Sequence, residues 1–163
     1  MHELVEAGKV RHLGLSNVSP AQLRDAVAAA PIAGVQDRYN LLERGAEAEL
    51  LPRCVELDVA FVPYFPLASG LLTGKYRRGE AAPARTRLEG QEVDHEAFER
   101  LEALERFAQE RGRTLLELAI GALLAQPAVV SVIAGATSPE QVRENAAAAA
   151  WAPTRDDLAA LPG

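Results

Sequence analysis

Short apolar segments alternate along the chain with longer segments in which apolar residues recur at helical spacing. The short segments predict strands, which lie at residues 10–15, from 34 onward, at 59–64 and at 129–133. Segment 59–64 is almost continuously apolar, which is typical of a parallel strand covered on both faces. The hydrophobic pattern therefore predicts four strands separated by helical segments.

The helical segments are marked by polar residues that favour helix N-termini. A Ser, Thr or Asp stands at the N-cap position before most of these segments. In several of them proline follows at the first helical position, or a Glu, Gln or Asp lies three residues after the N-cap and can complete a capping box. The predicted N-caps are Ser19, Asp94, Thr114, Ser138 and Thr154. The predicted helices cover residues 20–30, 46–57, 95–112, 115–126 and 139–149, with a short one after 154. Residues 2–7 are expected to be the last turns of a helix closed by Gly8, and 65–93 is the least regular stretch.

The order of these elements predicts an α/β protein with a parallel sheet. The first three strands begin at intervals of about 24 residues, which leaves room for a right-handed helical crossover between neighbours. Two architectures share this pattern, an open doubly wound sheet and one half of an eight-stranded β/α barrel. No interdomain linker interrupts residues 1–163, so we expect one structural unit.

Composition and charge limit the class of protein. Apolar residues make up 48% and charged residues 25% of the 163 positions, which is typical of a soluble globular protein. No apolar run approaches the roughly 20 residues of a membrane helix. A net charge of −6 disfavours nucleic acid or acidic lipid as partners. A single cysteine, Cys54, and the lack of a signal-peptide pattern favour a cytoplasmic protein.

Five segments, taken in order and with their spacing, resemble the aldo-keto reductases. They are GKVRHLGLSN (8–17), VQDRYNLLER (35–44), PYFPLASGLLTGKYRRG (63–79), SVIAGATSPEQVRENAAA (131–148) and the tail W-x-P-T-x-x-D-L (151–158). The resemblance implies a TIM-type (β/α)8 barrel, of which this chain would hold the C-terminal half, strands five to eight. It also implies NADP(H)-dependent reduction of aldehydes or ketones. Met1 would then correspond to an internal position of the helix after strand four.

The first group of candidate site residues follows the predicted strands, at the end where barrel enzymes bind ligands. The resemblance implies that Ser16, Asn17 and Gln36 contact the nicotinamide carboxamide and that Tyr64 stacks on the nicotinamide ring. Without the resemblance, the pattern favours a turn for Ser16 and Asn17 and a core aromatic for Tyr64. For Gln36, a satisfied buried polar residue and a ligand contact are equally typical.

A second group lies in the irregular stretch. The backbone of Phe65, Pro66, Leu67 and Ala68 is expected to meet the cofactor pyrophosphate, although Phe65 replaces a serine that is common in the family. Gly70 and Lys75 lie in the segment SGLLTGK, where Lys75 can meet the diphosphate as a point charge, and Arg87 resembles the family's loop arginine. The alternative for the two cations is ordinary solvated charge. A nucleoside triphosphatase is excluded, because the SGLLTGK segment does not have the P-loop spacing.

The third group surrounds a helix N-terminus, where unpaired amides and the helix dipole favour an anion. The resemblance places the 2′-phosphate and adenine of NADP(H) here. The residues implied are Gly135, Thr137, Gln141, Glu144 and Asn145. The alternative is a plain capping box followed by a solvated helix face, which accounts for the same polar residues.

Catalytic chemistry is expected to be missing from this chain. The family's catalytic tyrosine, lysine, aspartate and histidine belong to the first half of the barrel, and the tyrosines and histidines here match none of those positions. The histidines and Cys54 show no metal-ligand spacing. We therefore expect a carbonyl substrate only if a first half-barrel completes the site, and self-association of exposed sheet edges. The alternatives are a non-catalytic nucleotide-binding or assembly module and a truncated fragment.

Overall fold

A parallel three-stranded sheet lies at the centre of the computed structural model, which describes residues 1–82, 86–90 and 94–162. The strands are β1 (Leu13–Ser16), β2 (Ile32–Arg38) and β3 (Ala60–Tyr64), in that spatial order. Both pairs of neighbours are parallel, with Ser16 beside Gln36 and Arg38 beside Tyr64. The predicted α/β class and parallel sheet are confirmed.

The predicted fourth strand, at residues 129–133, is wrong as a regular strand. The segment follows β3 in the parallel direction, because Phe61 N donates to Ala128 O (2.7 Å) and Val130 N donates to Phe61 O (3.2 Å). Only one isolated parallel bridge forms, between Phe61 and Val129. Pro63 is the next residue of β3 whose backbone faces this segment, but proline has no N–H to donate. The ladder therefore stops after one bridge, and Ile133 N donates to Pro63 O (3.2 Å) out of step with it.

Seven α-helices lie in the described residues. They are α1 (His2–Glu6), α2 (Pro20–Ala29), α3 (Leu50–Glu56), α4 (His95–Gln109), α5 (Leu115–Leu124), α6 (Pro139–Ala148) and α7 (Arg155–Ala159), with 3₁₀ turns at Gly45–Glu47 and Ala68–Thr73. None of the helices in the described residues is long and apolar enough to cross a membrane. The predicted helix over 46–57 begins later than expected, because its first turn is 3₁₀.

The predicted N-caps differ in how they are satisfied. Thr114 and Thr154 form reciprocal capping boxes, as does Ser19. Ser138 accepts from Gln141 N (3.3 Å), but the Gln141 side chain accepts from Thr137 N instead of returning to Ser138. Asp94 occupies the N-cap position of α4 without a side-chain capping bond. The capping box predicted at Ser138 is therefore only half formed, and Asp94 marks the start of its helix without capping it.

The two faces of the sheet have different environments. Leu15, Val35 and Phe61 lie side by side on the face covered by helices, and they join a core with Leu23 and Cys54. On the opposite face, small residues (Gly14, Gly34, Ala60) are followed by Ser16 and Gln36, both exposed. The two faces of β3 are covered unequally, because buried positions alternate with positions of intermediate burial. The expected cover on both faces is therefore complete on one face and partial on the other. The polar carboxyl ends of the strands are consequently open to a ligand.

Candidate functional site

The carboxyl ends of the three strands bring the first group of candidate residues together. Register places Ser16 beside Gln36, and the Tyr64 hydroxyl at the end of β3 donates to Asn17 Oδ1 (2.7 Å). Because β2 lies between β1 and β3, this bond carries the tyrosine side chain across the end of β2. Asn17 takes a left-handed backbone (φ 55°), which asparagine tolerates better than most residues. A hydroxyl, two amides and an aromatic ring thus meet at one end of the sheet.

The loop after β3 has an unusual backbone. Phe65, Ala68 and Ser69 have positive φ (61°, 46° and 58°), and Gly70 follows at 93°. Left-handed residues of this kind curl the chain into concavities lined with N–H groups, which favour anions. Ala68 N already donates to Phe65 O (3.2 Å), and Pro66 has no N–H. The N–H groups of Phe65 and Leu67, which meet no acceptor in the described part of the chain, remain for a ligand.

Asn40 is a buried polar residue that the sequence reasoning missed. It is fully buried, its Nδ2 donates to Phe65 O (3.3 Å), and its Oδ1 accepts from Leu42 N (2.9 Å) and Glu43 N (3.0 Å). It therefore ties the turn after β2 to the loop after β3. The only signal was the Tyr-Asn pair in the segment VQDRYNLLER, where a polar residue stands between apolar ones.

The two candidate cations of the loop lie near two different glycines. Lys75 Nζ is 3.0 Å from where a Cβ on Gly70 would stand, and it lies 5.3 Å from the centre of the Tyr76 ring. Arg87 Nη2 is 3.6 Å from the corresponding position on Gly135. Arg87 therefore connects the loop to the start of the third candidate group, while Lys75 stays beside the left-handed turn.

The third group forms the N-terminus of α6. Gln141 Oε1 accepts from Thr137 N (2.7 Å) and from its hydroxyl (3.1 Å), and Asn145 Nδ2 donates to Gly135 O (3.4 Å). Gln141, Glu144 and Asn145 share one helix face because they are three and four residues apart. These hydrogen bonds support the capping alternative for Gln141, while its amide NH₂ and the exposed Glu144 carboxylate are open to a ligand.

Two side chains with reactive groups, Tyr39 and Cys54, are buried, and burial raises the pKa of both. Burial raises the pKa of Tyr39 above its ordinary range, and its hydroxyl donates to Glu47 Oε1 (2.7 Å). Burial also raises the pKa of Cys54 to about 11, so that it stays a thiol at neutral pH. No group of three potential metal ligands occurs among the described residues.

Comparison with known proteins gives a consistent match. Residues 1–162 match the model of the aldo/keto reductase family. The NADH-specific methylglyoxal reductase of Escherichia coli (strain K12) is 34% identical over 91% of this chain and 46% of its own length. The L-glyceraldehyde 3-phosphate reductase of the same strain is 33% identical over 86% of this chain and 45% of its own length.

Solved structures agree with these relatives. The glycerol dehydrogenase of Gluconobacter oxydans superposes with a TM-score of 0.82 at 31% identity, over 98% of this chain and 50% of that one. The holo form of an aldo-keto reductase from Bacillus halodurans gives a TM-score of 0.76 at 29% identity, over 99% and 53%. The chain spans about half the length of the curated relatives it matches.

Proposed function

This chain belongs to the aldo/keto reductase family, and we propose that it is the C-terminal half of that family's (β/α)8 barrel, strands five to eight, with the cofactor side of the site. The parallel order β1-β2-β3, with residues 128–133 alongside β3, supports four consecutive barrel positions. Coverage of about half of each relative supports the same reading. Residues 1–163 would then be one partial domain.

The proposed ligand is NADP(H). The observation that carries this proposal is the meeting of Ser16, Asn17, Gln36 and Tyr64 at one end of the sheet. A carboxamide needs both donors and acceptors, which a hydroxyl and two amides supply, and a planar ring stacks on a tyrosine. From there the diphosphate would cross the left-handed loop toward Lys75, and the adenosine end would lie against α6 near Arg87.

The exposure of the candidate residues supports such a cofactor. Ser16, Asn17 and Gln36 are exposed, and the N–H groups of Phe65 and Leu67, which have no acceptor among the described residues, would bind the diphosphate. When bound, the cofactor supplies hydride chemistry. The chain's own residues would bind the carboxamide, present one face of the ring and neutralise the phosphates.

In a complete barrel the reaction would be reduction of an aldehyde or ketone. The relatives named for methylglyoxal and for L-glyceraldehyde 3-phosphate point to small carbonyl compounds as the substrate class. We propose that the proton donor and its partners, the family's tyrosine, lysine, aspartate and histidine, come from a first half-barrel. The 163-residue chain by itself is therefore expected to consume no NADPH with a panel of aldehydes, above a heat-inactivated control.

A titration of the purified chain with NADPH and, separately, NADH tests the proposal through nicotinamide fluorescence. Saturable binding is expected. Lys75→Ala and Arg87→Ala should each weaken it by about threefold to tenfold, the range for a partly exposed contact to a charged group. Lys9→Ala is the matched control, since Lys9 is exposed and far along the chain from the loop.

The two cofactors separate the finer parts of the proposal. Tighter binding of NADPH than of NADH supports a 2′-phosphate contact near Arg87 and α6. Tighter binding of NADH would shift the proposal to NAD(H), which one relative's name specifies for that protein. A folded chain that binds neither would contradict the cofactor role and favour an assembly module.

A further inference from the structure

Arg38 is a charged side chain at the open end of β2 that the proposed cofactor contacts do not use. Side chains alternate along a strand, so Arg38 shares the uncovered face with Gln36, while Asp37 turns to the other face. Register pairs Arg38 directly with Tyr64. Its side chain is 47% exposed. Arg38 thus lies beside Tyr64 in the sheet, the residue on whose ring the nicotinamide is proposed to stack.

Two contacts hold the Arg38 guanidinium. Its central carbon lies 4.2 Å from the centre of the Phe65 ring, and its Nε lies 3.2 Å from Glu43 Oε2. Phe65 is itself fixed, because Asn40 binds its carbonyl at a left-handed turn. Stacking occupies a face of the guanidinium and Glu43 occupies the Nε edge. Within the described contacts, the two Nη groups are left without an acceptor, which is the fork that binds a carboxylate or phosphoryl group through paired hydrogen bonds.

We propose that Arg38 binds an anionic group on the carbonyl substrate, a carboxylate or a phosphoryl group, beside the nicotinamide position. This inference rests on the proposed function, because it takes the end of the sheet near Tyr64 as the place where carbonyl and nicotinamide meet. It adds a substrate preference: an acidic carbonyl compound over a neutral one of the same size. The cofactor's own diphosphate is the other anion within reach, and its involvement is an outcome of the test.

Two carboxylates near Arg38, those of Glu43 and Asp37, determine how substitutions should change anion binding. Glu43 pairs with Arg38, but both side chains are near half exposed, and exposed pairs of this kind are weak. Asp37 accepts from the backbone N–H of Arg38 (2.7 Å) and lies on the opposite face. A bound anion would therefore compete mainly with Glu43. Removing the Glu43 charge should strengthen anion binding, while removing the Arg38 charge should weaken it.

The experiment compares pyruvate, a ketone with a carboxylate, with hydroxyacetone, a neutral ketone of similar size. Each is titrated calorimetrically into the chain, with and without saturating NADPH. Pyruvate should bind the natural chain about tenfold more tightly than hydroxyacetone, as for one hydrogen-bonded charge pair. Arg38→Gln should remove that advantage and leave NADPH and hydroxyacetone affinities unchanged. Glu43→Gln should tighten pyruvate binding severalfold, and Arg24→Gln, on the exposed face of α2, should change nothing.

The outcomes distinguish this inference from the proposed function. Equal binding of pyruvate and hydroxyacetone overturns it, even if NADPH binds normally. If Arg38→Gln weakens NADPH itself, the arginine serves the cofactor and the inference is wrong. If NADPH does not bind, the proposed function fails, and an Arg38-dependent preference for pyruvate would still support the anion site. Arg38→Lys separates charge from structure: it keeps the charge but not the fork, so an intermediate affinity at unchanged unfolding midpoint is expected.

Discussion

Single side chains join the ends of the strands into one surface. Tyr64 reaches Asn17 across β2, and Asn40 joins the turn after β2 to Phe65. The two contacts differ in energetic weight, because Tyr64 and Asn17 are accessible to water while Asn40 is fully buried. A buried amide that loses its partners cannot replace them with water. Asn40 is therefore the residue on which the geometry of the site depends most.

Asn40→Ala should destabilise the protein by about 1–3 kcal/mol, because it removes the hydrogen bonds that this buried amide makes to Phe65 O, Leu42 N and Glu43 N. Urea unfolding followed by circular dichroism measures the change. Asn145→Ala is the matched control, since it removes one long hydrogen bond at a more exposed position, and its effect should stay within about 0.5 kcal/mol. Equal effects of the two substitutions would contradict the assigned role.

Asp157 predicts a dependence of stability on pH. Hydrogen bonds from Arg111 Nε (2.6 Å) and from Thr154 lower the pKa of this carboxyl to about 2, below its ordinary value of 3.8. A carboxyl whose pKa is lower in the folded state than in the unfolded state stabilises the protein at pH values above its unfolded-state pKa. This stabilisation is lost as the pH falls through the folded-state pKa. The contribution should therefore be complete above about pH 4 and disappear toward pH 2.

The measurement is the difference in urea midpoint between the natural chain and Asp157→Asn. That difference should be constant from neutral pH to the mildly acidic range and should shrink as the pH is lowered further. Taking a difference removes the contribution of other carboxyl groups that titrate in the same range. A difference that stays constant down to pH 2 would show that the Arg111 contact does not depend on the Asp157 charge.

Among the elements, α5 determines how the helical layer packs. Seven of its ten residues are buried, and Gly121 lies against the tail that leads to α7. A Cβ on Gly121 would stand 2.6 Å from the Trp151 carbonyl oxygen and 3.2 Å from its ring. A backbone oxygen cannot move aside as a flexible side-chain end does. The glycine is thus required by the approach of the tail and not by helix geometry.

Gly121→Ala should destabilise the protein by about 1–3 kcal/mol, since overpacking outweighs the roughly 1 kcal/mol that alanine gains in a helix. Gly45→Ala is the control, because a Cβ at Gly45 has no atom within 4 Å. That substitution should be neutral or slightly stabilising. Thermal unfolding of both variants tests the opposite signs, and a stabilised Gly121→Ala would place the tail elsewhere.

At the scale of the whole molecule, residues 128–134 lie at one edge of the sheet and expose apolar side chains. Val130 is 64% exposed and Ile133 47% exposed, and a groove of about 340 Å³ separates this segment from α5 and α6. Exposed strand edges and apolar surface favour association. We propose that the chain self-associates there or pairs with a first half-barrel.

Sedimentation velocity over a wide range of concentration tests this proposal. The natural chain should form dimers or larger species as concentration rises. Val130→Lys should weaken the association, because a charge at a strand edge blocks edge pairing. Val55→Lys is the control, since Val55 is an exposed valine on α3, a helix that does not line the groove. A natural chain that remains monomeric throughout would contradict the proposal.

The sequence by itself determined most of the local structure and the family. The N-caps Ser19, Thr114 and Thr154 were predictable because each capping bond joins residues three apart, within one segment. The parallel sheet followed from the alternation of strands and helices. The resemblance to the aldo-keto reductases rested on segments whose order and spacing are visible in the chain, and the family match confirms it.

The tertiary structure decided what depends on contacts between distant residues. The bond from Asn40 to Phe65 joins residues 25 apart and the bond from Tyr64 to Asn17 joins residues 47 apart, so no local pattern records either. The fourth strand is lost because Pro63, which has no N–H, faces the 128–133 segment. Only the pairing of the strands determines which side of β3 this residue faces. The position of Arg38 over Phe65 likewise depends on register. Local hydrogen bonds and the periodicity of apolar residues depend on residues close together in the sequence, so the sequence reveals them. Strand register and buried polar contacts arise only when the strands pack side by side.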